Sequence, residues 1–317
     1  LFSGIIVPFD KLHPYFSSKS EVPAIGNIMA SRWAYEALTV VQFKDNEYEK
    51  RFFEFDKKMS FANWKKDQWE SNLDSKLTNF YRIAHKEHPL HTEIDKVKRD
   101  GQIIINEIRK EIKNFNSSSL YSKEDIEKLL LTIKNNNMKK KDYLSLHNYL
   151  TSIRDYYMNQ YNLASNSKDE ILISETDPDS TFISKMRGLK KQKVITSKEY
   201  RSYKNLMSYL KKYQFQKFKN SYSNHSLEDF VTNSNSLTFI TEDETGLIQK
   251  SDPIYLDPIN HKYFGAHFYS PSKYFLDYKF DTFNANLIVI WLMTLLLTVT
   301  LYFDVLRKIL EINSSKR

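Results

Sequence analysis

Polar and hydrophobic positions separate most sharply near the carboxy-terminal end of the chain. Between Asp281 and Asp304 lie the 22 residues 282–303, and none of them is charged. At a helical rise of about 1.5 Å per residue this run is roughly 33 Å long, which matches the hydrocarbon core of a bilayer. Its apolar residues cover every side of a helix. The pattern predicts a transmembrane helix; a buried core helix of a soluble protein is the alternative, although this length is unusual for one.

The flanks of this run indicate its orientation. Aromatic residues lie near both ends, where they would meet the two membrane interfaces: Tyr278, Phe280, Phe283, Tyr302 and Phe303. Basic residues follow in the short tail: Arg307, Lys308, Lys316 and Arg317. Because basic residues favour the cytoplasmic side, we expect residues 307–317 in the cytoplasm and the chain before Thr282 outside.

A second hydrophobic region lies near the beginning of the sequence. The apolar run Leu1–Val7 is too short to cross a membrane, and Pro8 ends it. Apolar residues at helical spacing then predict a helix over Ile25–Val41. Arg32 and Glu36 lie within it, one turn apart, and at membrane depth such charges require partners. Since the first apolar run begins abruptly and lacks a signal peptide's basic region, we expect the sequence to be a carboxy-terminal fragment of a longer chain.

The long polar region between these two ends reads as mostly helical. Helices are predicted from an N-cap at Ser60 to about Ala84, over His91–Phe115, from a capping box at Ser122 and Asp125 to Lys134, over Lys141–Leu163, and from an N-cap at Ser197 to about Phe218. Residues 114–119, 166–181, 220–252 and 252–279 read as irregular, with one short strand at Leu237–Thr241.

The composition limits the kinds of domain and of chemistry that the chain can have. The 317 residues carry a net charge of +8 and have a mean hydropathy of −0.57, so one very apolar helix is joined to a polar body that has enough hydrophobic residues for a core. The length suggests about two domains. The chain contains no cysteine, which excludes disulfides, thiol catalysis and cysteine metal sites.

Basic charge is concentrated in residues 182–219. This window holds twelve basic residues and one acidic residue, Glu199, a net of +11 that exceeds the excess of the whole chain. The candidate basic face consists of Lys190, Lys191, Lys193, Arg201, Lys204, Lys211 and Lys212. Apolar residues at spacings of three and four predict a buried stripe beneath it, formed by Tyr200, Tyr203, Met207, Leu210 and Tyr213. Contact with an anionic lipid or glycolipid is an alternative use of this mixture, and a nucleic-acid groove is a third, which we do not expect outside the cell.

Motifs for enzymatic chemistry are missing from the sequence. It has no phosphate-binding G-x4-G-K-[ST] loop, no G-x-S-x-G elbow and no H-E-x-x-H. His85, His88 and His91 have a spacing that invites a metal ion, but Pro89 interrupts the helix that would carry them, which favours a solvated helix end. We therefore expect no catalytic, metal-binding or cofactor-binding residue in this segment.

Several stretches resemble one transporter family. They are LFSGIIVPFDKLHP at 1–14, MASRWAYEALTVVQFKDNEY at 29–48, Asp252–Tyr255, Ala266–Lys273 and the span 283–306. Together they resemble the end of the membrane domain of G-type, or white-type, ATP-binding cassette transporters, in particular bacterial members. The similarity covers about a quarter of the chain and does not extend to the long polar region, which replaces a loop that is short in most of the family.

The resemblance implies a mainly α membrane protein with four parts. Residues 1–41 would be the end of the fifth membrane helix and a re-entrant helical hairpin, 42–280 a large helical extracytoplasmic insert, 282–306 the last transmembrane helix and 307–317 a cytoplasmic tail. Structural residues of the hairpin would be Gly4, Arg32, Trp33, Tyr35 and Glu36.

The implied function is that of a permease segment in an ATP-driven exporter of the bacterial inner membrane. The complete chain would be multi-pass and dimeric, and ATP and Mg would bind a nucleotide-binding domain outside this segment, in the same chain or in a partner chain. The competing class is a tail-anchored, helical surface domain that binds a partner protein or an envelope polymer through its basic residues.

Overall fold

The computed structural model describes residues 21–114, 121–176, 180–236, 238–243, 246–258 and 263–304, and it is mainly helical, as predicted. Two compact units are formed. The first, here called the terminal unit, comprises Leu1–Asp45, Asp229–Thr241 and Lys250–Arg317. The second, the body unit, comprises Asn46–Glu228 and Glu242–Gln249. The body unit is therefore smaller than the domain 42–280 that the sequence suggested.

The helices are α1 (Ala24–Asn27), α2 (Ala30–Lys44), α3 (Phe53–Trp64), α4 (Glu70–Ala84), α5 (His91–Asn114), α6 (Lys123–Lys134), α7 (Lys140–Thr176), α8 (Ser180–Lys191), α9 (Ser197–Tyr222), α10 (His225–Thr232) and α11 (Thr282–Tyr302). A π-helical segment, Lys65–Trp69, joins α3 to α4, and 3-10 turns lie at Glu49–Arg51 and Pro253–Tyr255. The strands are β1 (Ile240–Asp243), β2 (Gly246–Gln249), β3 (Ser272–Phe275) and β4 (Tyr278–Asp281), in two two-stranded sheets ordered β1-β2 and β3-β4.

In the terminal unit, α2 packs along α11. The helix predicted over 25–41 is interrupted, because Met29 has an extended backbone and separates α1 from α2. Val40 and Ala285 are fully buried, and they contribute to the core of this unit. The two helices that meet here come from opposite ends of the sequence.

An antiparallel hairpin of β3 and β4 leads directly into α11. Its register pairs Ser272 with Asp281 and Phe275 with Tyr278. Leu276 and Asp277 form the turn, both with positive φ, the conformation of a tight hairpin turn whose twist suits the flanking strands. The sequence analysis predicted irregular structure here and was wrong, because neither turn residue is the glycine or asparagine that usually marks such turns.

Helix α11 agrees with the predicted hydrophobic span. It has 21 residues and a mean hydropathy of 2.0 in its most apolar window, and it is long and apolar enough to cross a membrane. Among the described residues no other helix meets that description. Beyond its first turn the apolar side chains are mostly exposed, for example Trp291 and Leu295. This exposure distinguishes α11 from the core helix of a soluble protein.

The body unit begins with a helical stretch that is longer than predicted. Ser60 was expected to cap a helix, but it lies inside α3, which starts at Phe53. Phe52 and Phe53 are buried at this start, and their packing begins the helix earlier than the local capping signal indicated. The π-helical segment then places Lys65 and Trp69 toward the interior, where both are buried.

Helices α5 and α6 follow the predicted pattern. The apolar spacing predicts five inward residues on α5, of which Val97, Ile103, Ile104 and Ile108 are buried and Ile94 is half-buried. The N-cap of α6 is also confirmed, because the Ser122 hydroxyl accepts a hydrogen bond from the Asp125 backbone N–H at 3.1 Å.

Helix α7 continues well past its predicted end at Leu163. The polar residues 166–176 were expected to form turns, yet they remain helical to Thr176. Ala164 is buried, Lys168 forms an ion pair with Asp56 of α3, and Glu175 forms one with Arg51. Contacts with the body unit therefore extend a helix that local sequence preferences would have ended.

Candidate functional site

A group of buried charged and polar side chains lies in the terminal unit, around the carboxylate of Glu36. Glu36 and Arg32 are one turn apart on α2, and the side chains of both are essentially inaccessible, with 0% and 1% exposure. Lys273 on β3 has 1% exposure and Asn286 in the second turn of α11 is fully buried. Four polar side chains from three elements thus share one buried space, which we call the Glu36 cluster.

One carboxylate oxygen organises the Glu36 cluster. Oε2 of Glu36 accepts hydrogen bonds from Arg32 Nη1 at 2.8 Å, from Lys273 Nζ at 2.6 Å and from Asn286 Nδ2 at 2.9 Å. The Asn286 amide also donates to the backbone carbonyl of Trp33 at 2.9 Å. These contacts tie α2 both to the hairpin and to α11.

Trp33 and Asn27 complete the surroundings of the two cations. The Arg32 guanidinium lies 3.8 Å and the Lys273 ammonium 4.3 Å from the centroid of the Trp33 ring. The indole nitrogen donates to the Asn27 carbonyl at 2.8 Å, and the Asn27 side chain accepts a bond from Arg32. An aromatic face attracts cations, so Trp33 compensates in part for the second positive charge.

The cluster contains one anion, Glu36, and two cations, Arg32 and Lys273. Burial lowers the pKa of Lys273 to about 8, although the nearby Glu36 carboxylate opposes that shift. Burial also lowers the pKa of His267, whose Nε2–H donates to the Pro253 carbonyl at 2.7 Å. The histidine therefore stays neutral and adds no further charge.

Three buried polar atoms of the cluster lack partners among the described residues: Arg32 Nε, Glu36 Oε1 and Asn286 Oδ1. Unpaired buried polar atoms usually cost about 1 to 3 kcal/mol each, so this site is less than fully satisfied. What the arrangement does chemically is hold three chain segments together through one anion.

The structure brings together four of the residues that sequence analysis selected. Arg32, Trp33 and Glu36 lie in the cluster, and Tyr35 stacks beside it on Phe268, with ring centroids 6.3 Å apart and planes 13° apart. Gly4 lies outside the described residues. The sequence analysis missed Lys273, which was noted only as part of the resemblance, and Asn286. An asparagine in an otherwise apolar span is itself a signal, because polar side chains in such spans usually have partners.

The basic residues selected from the sequence lie elsewhere, in the body unit. Lys190, Lys191, Lys193, Arg201, Lys204 and Lys212 are exposed, and Lys211 is half-buried. The predicted stripe beneath them is not buried: α9 has no buried residue, and Tyr203, Leu210 and Tyr213 are exposed. This part of the sequence interpretation was wrong, because an apolar stripe at helical spacing shows only that a helix is two-sided and does not show that another element covers it.

A second set of buried charges lies in the body unit, where the π-helical segment and α4 pack against α5. Lys65 pairs with Glu111, Trp69 Nε1 donates to Glu107 Oε2 at 2.7 Å, and Lys76 pairs with Asp100 at 2.8 Å. In each pair the two residues are equally distant from His88, as antiparallel neighbours should be. We call this set the α4–α5 ladder.

The ladder residues have further partners. The Tyr157 hydroxyl of α7 donates to Glu111, and the Lys65 ammonium lies 4.0 Å from the centroid of the Trp69 ring. The backbone N–H of Leu247 donates to Glu107 at 3.2 Å, and Glu242 pairs with Lys76 at 2.7 Å. The ladder is therefore part of the body core.

Metal binding receives no support from the residues that the structure describes, among which no group of three or more His, Asp or Glu side chains is placed to hold an ion. His85 contacts the Tyr81 carbonyl through Nδ1 at 2.9 Å and packs on the Tyr81 ring.

Comparison with known proteins does not assign this chain to a family: it matches no family model, no curated protein and no solved structure.

Proposed function

We propose that this chain is the carboxy-terminal part of the permease of an ATP-driven, G-type ABC exporter. In this proposal α2 is the returning helix of the re-entrant hairpin, and α11 is the last transmembrane helix. The body unit belongs to a large extracytoplasmic insert. ATP and Mg act on a nucleotide-binding domain outside this segment, and the working protein is a dimer in the bacterial inner membrane with a cytoplasmic carboxy terminus.

The observation that carries the proposal is the joining of α2 to α11 through Glu36. A soluble domain with a simple anchor does not need its membrane helix to bind a distant, charge-bearing helix. Here Asn286 of α11 is bonded to Glu36 across 250 residues of sequence, and Lys44 at the end of α2 pairs with Asp281 just before α11. These two contacts fix α2 to α11 at two points along their length. The pair would therefore move as one rigid part of a membrane bundle.

The physical role that follows is conformational. Transport requires two arrangements of the membrane helices that bind the substrate differently, and rigid helix pairs are what moves between them. The Glu36 cluster would keep α2 and α11 together during that movement. Its charges would be tolerated near the membrane because Arg32 and Lys273 share the Glu36 carboxylate and the Trp33 ring and face protein.

The competing function is that of a tail-anchored helical surface domain. It is favoured by the body unit, which has its own core, and by the fact that the described residues include one candidate span only. In that case α11 would be an anchor and the body unit the functional part.

The sequence preceding Leu1 in the gene distinguishes the two functions. A G-x4-G-K-[ST] loop and about five earlier hydrophobic spans would support the exporter. A signal peptide directly before Leu1 would exclude it and leave the surface domain.

A direct test uses the full reading frame reconstituted in nanodiscs. We expect ATP hydrolysis by the wild type, a clear loss in Glu36→Gln, and wild-type activity in Glu47→Gln, which alters an exposed carboxylate in the body unit. Equal hydrolysis by all three proteins would remove Glu36 from the mechanism, and no hydrolysis by the wild type would contradict an exporter that carries its nucleotide-binding domain in the same chain.

Topology provides a second test, for which the cysteine-free sequence is convenient. A membrane-impermeant maleimide should label Asn135→Cys in intact cells, and it should label Ser315→Cys only after permeabilisation. The reverse pattern would place the body unit in the cytoplasm and contradict the proposal.

A further inference from the structure

The body unit presents an amphipathic helix whose apolar face is uncovered. In the first two thirds of α9, seven apolar residues occupy one half of the helix circumference at 100° per residue: Tyr200, Tyr203, Leu206, Met207, Tyr209, Leu210 and Tyr213. Five basic residues occupy the other half: Lys198, Arg201, Lys204, Lys211 and Lys212. The apolar half faces solvent, with 67% exposure at Tyr209, 60% at Tyr213 and 53% at Leu206.

The end of α9 explains why this face is left open. Phe215 and Phe218 pack on Tyr48, with ring centroids 5.9 Å and 6.3 Å away, and the Arg51 guanidinium lies 4.9 Å from the Phe218 centroid. Phe215 follows Leu206 by nine residues, or two and a half turns, so the two point to opposite sides of the helix. The side of α9 that holds it to the body unit is therefore centred away from Leu206, and Phe218 projects in the direction of Tyr200, at the edge of the apolar half.

The beginning of α9 is also fixed. A capping box forms between Thr196 and Glu199, in which each residue satisfies the backbone N–H of the other. The Lys190 ammonium of α8 lies 5.3 Å from the centroid of the Tyr200 ring. The exposed face thus belongs to a helix that is anchored at both ends rather than to a frayed segment.

We propose that this face of α9 lies on the surface of an anionic bilayer. An interfacial helix buries an apolar face at the boundary between headgroups and acyl chains and carries Lys and Arg on its other face, which is the division seen here. Tyrosine suits this position because its ring is apolar and its hydroxyl remains in contact with water. Lysines at the edges of the face extend their ammonium groups toward lipid phosphates.

Charge and tethering favour a membrane over other occupants. The window 182–219 carries a net charge of +11, so two copies of α9 would repel each other, whereas an anionic surface attracts it. A nucleic acid would contact the basic half and leave the apolar half in water. The same chain carries α11, which if inserted keeps the body unit at a high effective concentration near lipid. The inference holds for an exporter and for a tail-anchored domain alike.

The test uses the full chain in nanodiscs with a single cysteine labelled by an environment-sensitive fluorophore. At Leu206→Cys we expect a blue-shifted emission, quenched by nitroxide lipids, in discs with phosphatidylglycerol and not in pure phosphatidylcholine. At Asn205→Cys, an exposed position on the polar half, the emission should be the same in both kinds of disc.

Charge variants sharpen the test. The double variant Lys204→Glu/Lys212→Glu should weaken the phosphatidylglycerol response roughly 25-fold or more, since each cation near an anionic surface contributes about fivefold. Lys96→Glu/Lys98→Glu, which reverses two exposed lysines on α5, is the matched control and should leave the response unchanged. Circular dichroism checks that all variants fold.

Several outcomes would overturn the proposal. They are an unshifted Leu206 probe in every lipid, a shift of equal size in pure phosphatidylcholine, a shift that a soluble polyanion produces without anionic lipid, and a shift in detergent that grows with protein concentration. The last two would assign the face to a polymer and to a second copy of the chain, respectively.

Discussion

The two buried charge clusters differ in how far apart in sequence their partners lie and in how many contacts share one residue. The α4–α5 ladder joins helices that are neighbours in sequence, through pairs 24 to 46 residues apart. The Glu36 cluster joins segments 237 and 250 residues apart and directs three donors to one oxygen. Charge in the ladder is spread over three separate contacts, so the loss of one leaves two. Charge in the Glu36 cluster depends on a single residue, and we expect that difference to appear when each is perturbed.

The largest effect is expected at Glu36. In Glu36→Gln two buried cations lose their common anion, and breaking such a buried pair costs about 3 to 5 kcal/mol. We expect a lower midpoint of thermal unfolding for the purified chain, monitored by tryptophan fluorescence because Trp33 lies in the cluster. Glu47→Gln, at an exposed ion pair, should leave the midpoint unchanged. Equal midpoints in the two variants would show that Glu36 is not the centre of the cluster.

A smaller effect is expected in the ladder. In Glu111→Gln the Lys65 ammonium keeps its cation–π contact with the Trp69 ring, and the Tyr157 hydroxyl can still donate to the glutamine amide oxygen. The loss should be about 3 kcal/mol, at the lower end of what breaking a buried pair costs. Urea unfolding of the chain measures it, with Glu127→Gln at the exposed Arg109 pair as the control, where less than about 1 kcal/mol is expected. A larger loss than in Glu36→Gln would reverse the comparison.

The next effect is expected at Gly246, where the backbone lies too close to the ladder residue Glu107 to leave room for a side chain. Gly246 has a φ of 149°, and a Cβ there would lie 2.0 Å from Glu107 Oε1. Gly246→Ala should therefore destabilise the chain by about 1 to 3 kcal/mol.

Gly188 is the matched control, because it lies in α8 with open space around it. Gly188→Ala should stabilise by about 0.5 to 1 kcal/mol. The thermal midpoints of the two variants should shift in opposite directions, and shifts of the same sign would contradict this account.

The last comparison distinguishes the two units by the pH dependence of their stability. The pKa of Lys273 is about 8 in the folded chain and higher when unfolded, so the unfolded state binds more protons between these values and stability rises with pH above about 8. Burial raises the pKa of Glu49, in the body unit, to about 7, so stability falls as pH rises from about 4.5 to 7.

Thermal midpoints of the wild type, Lys273→Met and Glu49→Gln across pH 4 to 10 measure these slopes. Each variant should lose one slope and keep the other. If Lys273→Met keeps the rise above pH 8, another group is responsible for it.

Sequence reading succeeded where the signal is local. The N-cap at Ser122 and the apolar spacing of α5 need only neighbouring residues, and the uncharged run over 282–303 is visible in composition alone. It failed where tertiary contacts decide, as in the extension of α7 by the ion pair of Lys168 with Asp56. The partnership of Glu36 with Lys273 and Asn286 was not predictable, because periodicity carries no information about residues more than two hundred positions away.

The separation of Glu36 from Asn286 also has a consequence for synthesis. At roughly 5 to 20 residues per second, a ribosome needs on the order of ten seconds or more after making Glu36 to reach Asn286. The body unit precedes Asn286 in the chain and has time to fold in that interval, since loop closure and helix formation are far faster. Until Lys273 and Asn286 have been made, the Glu36 carboxylate of α2 has only Arg32 of the cluster as a partner. Assembly of the terminal unit is therefore the last event, and a truncated chain would show its defect there first.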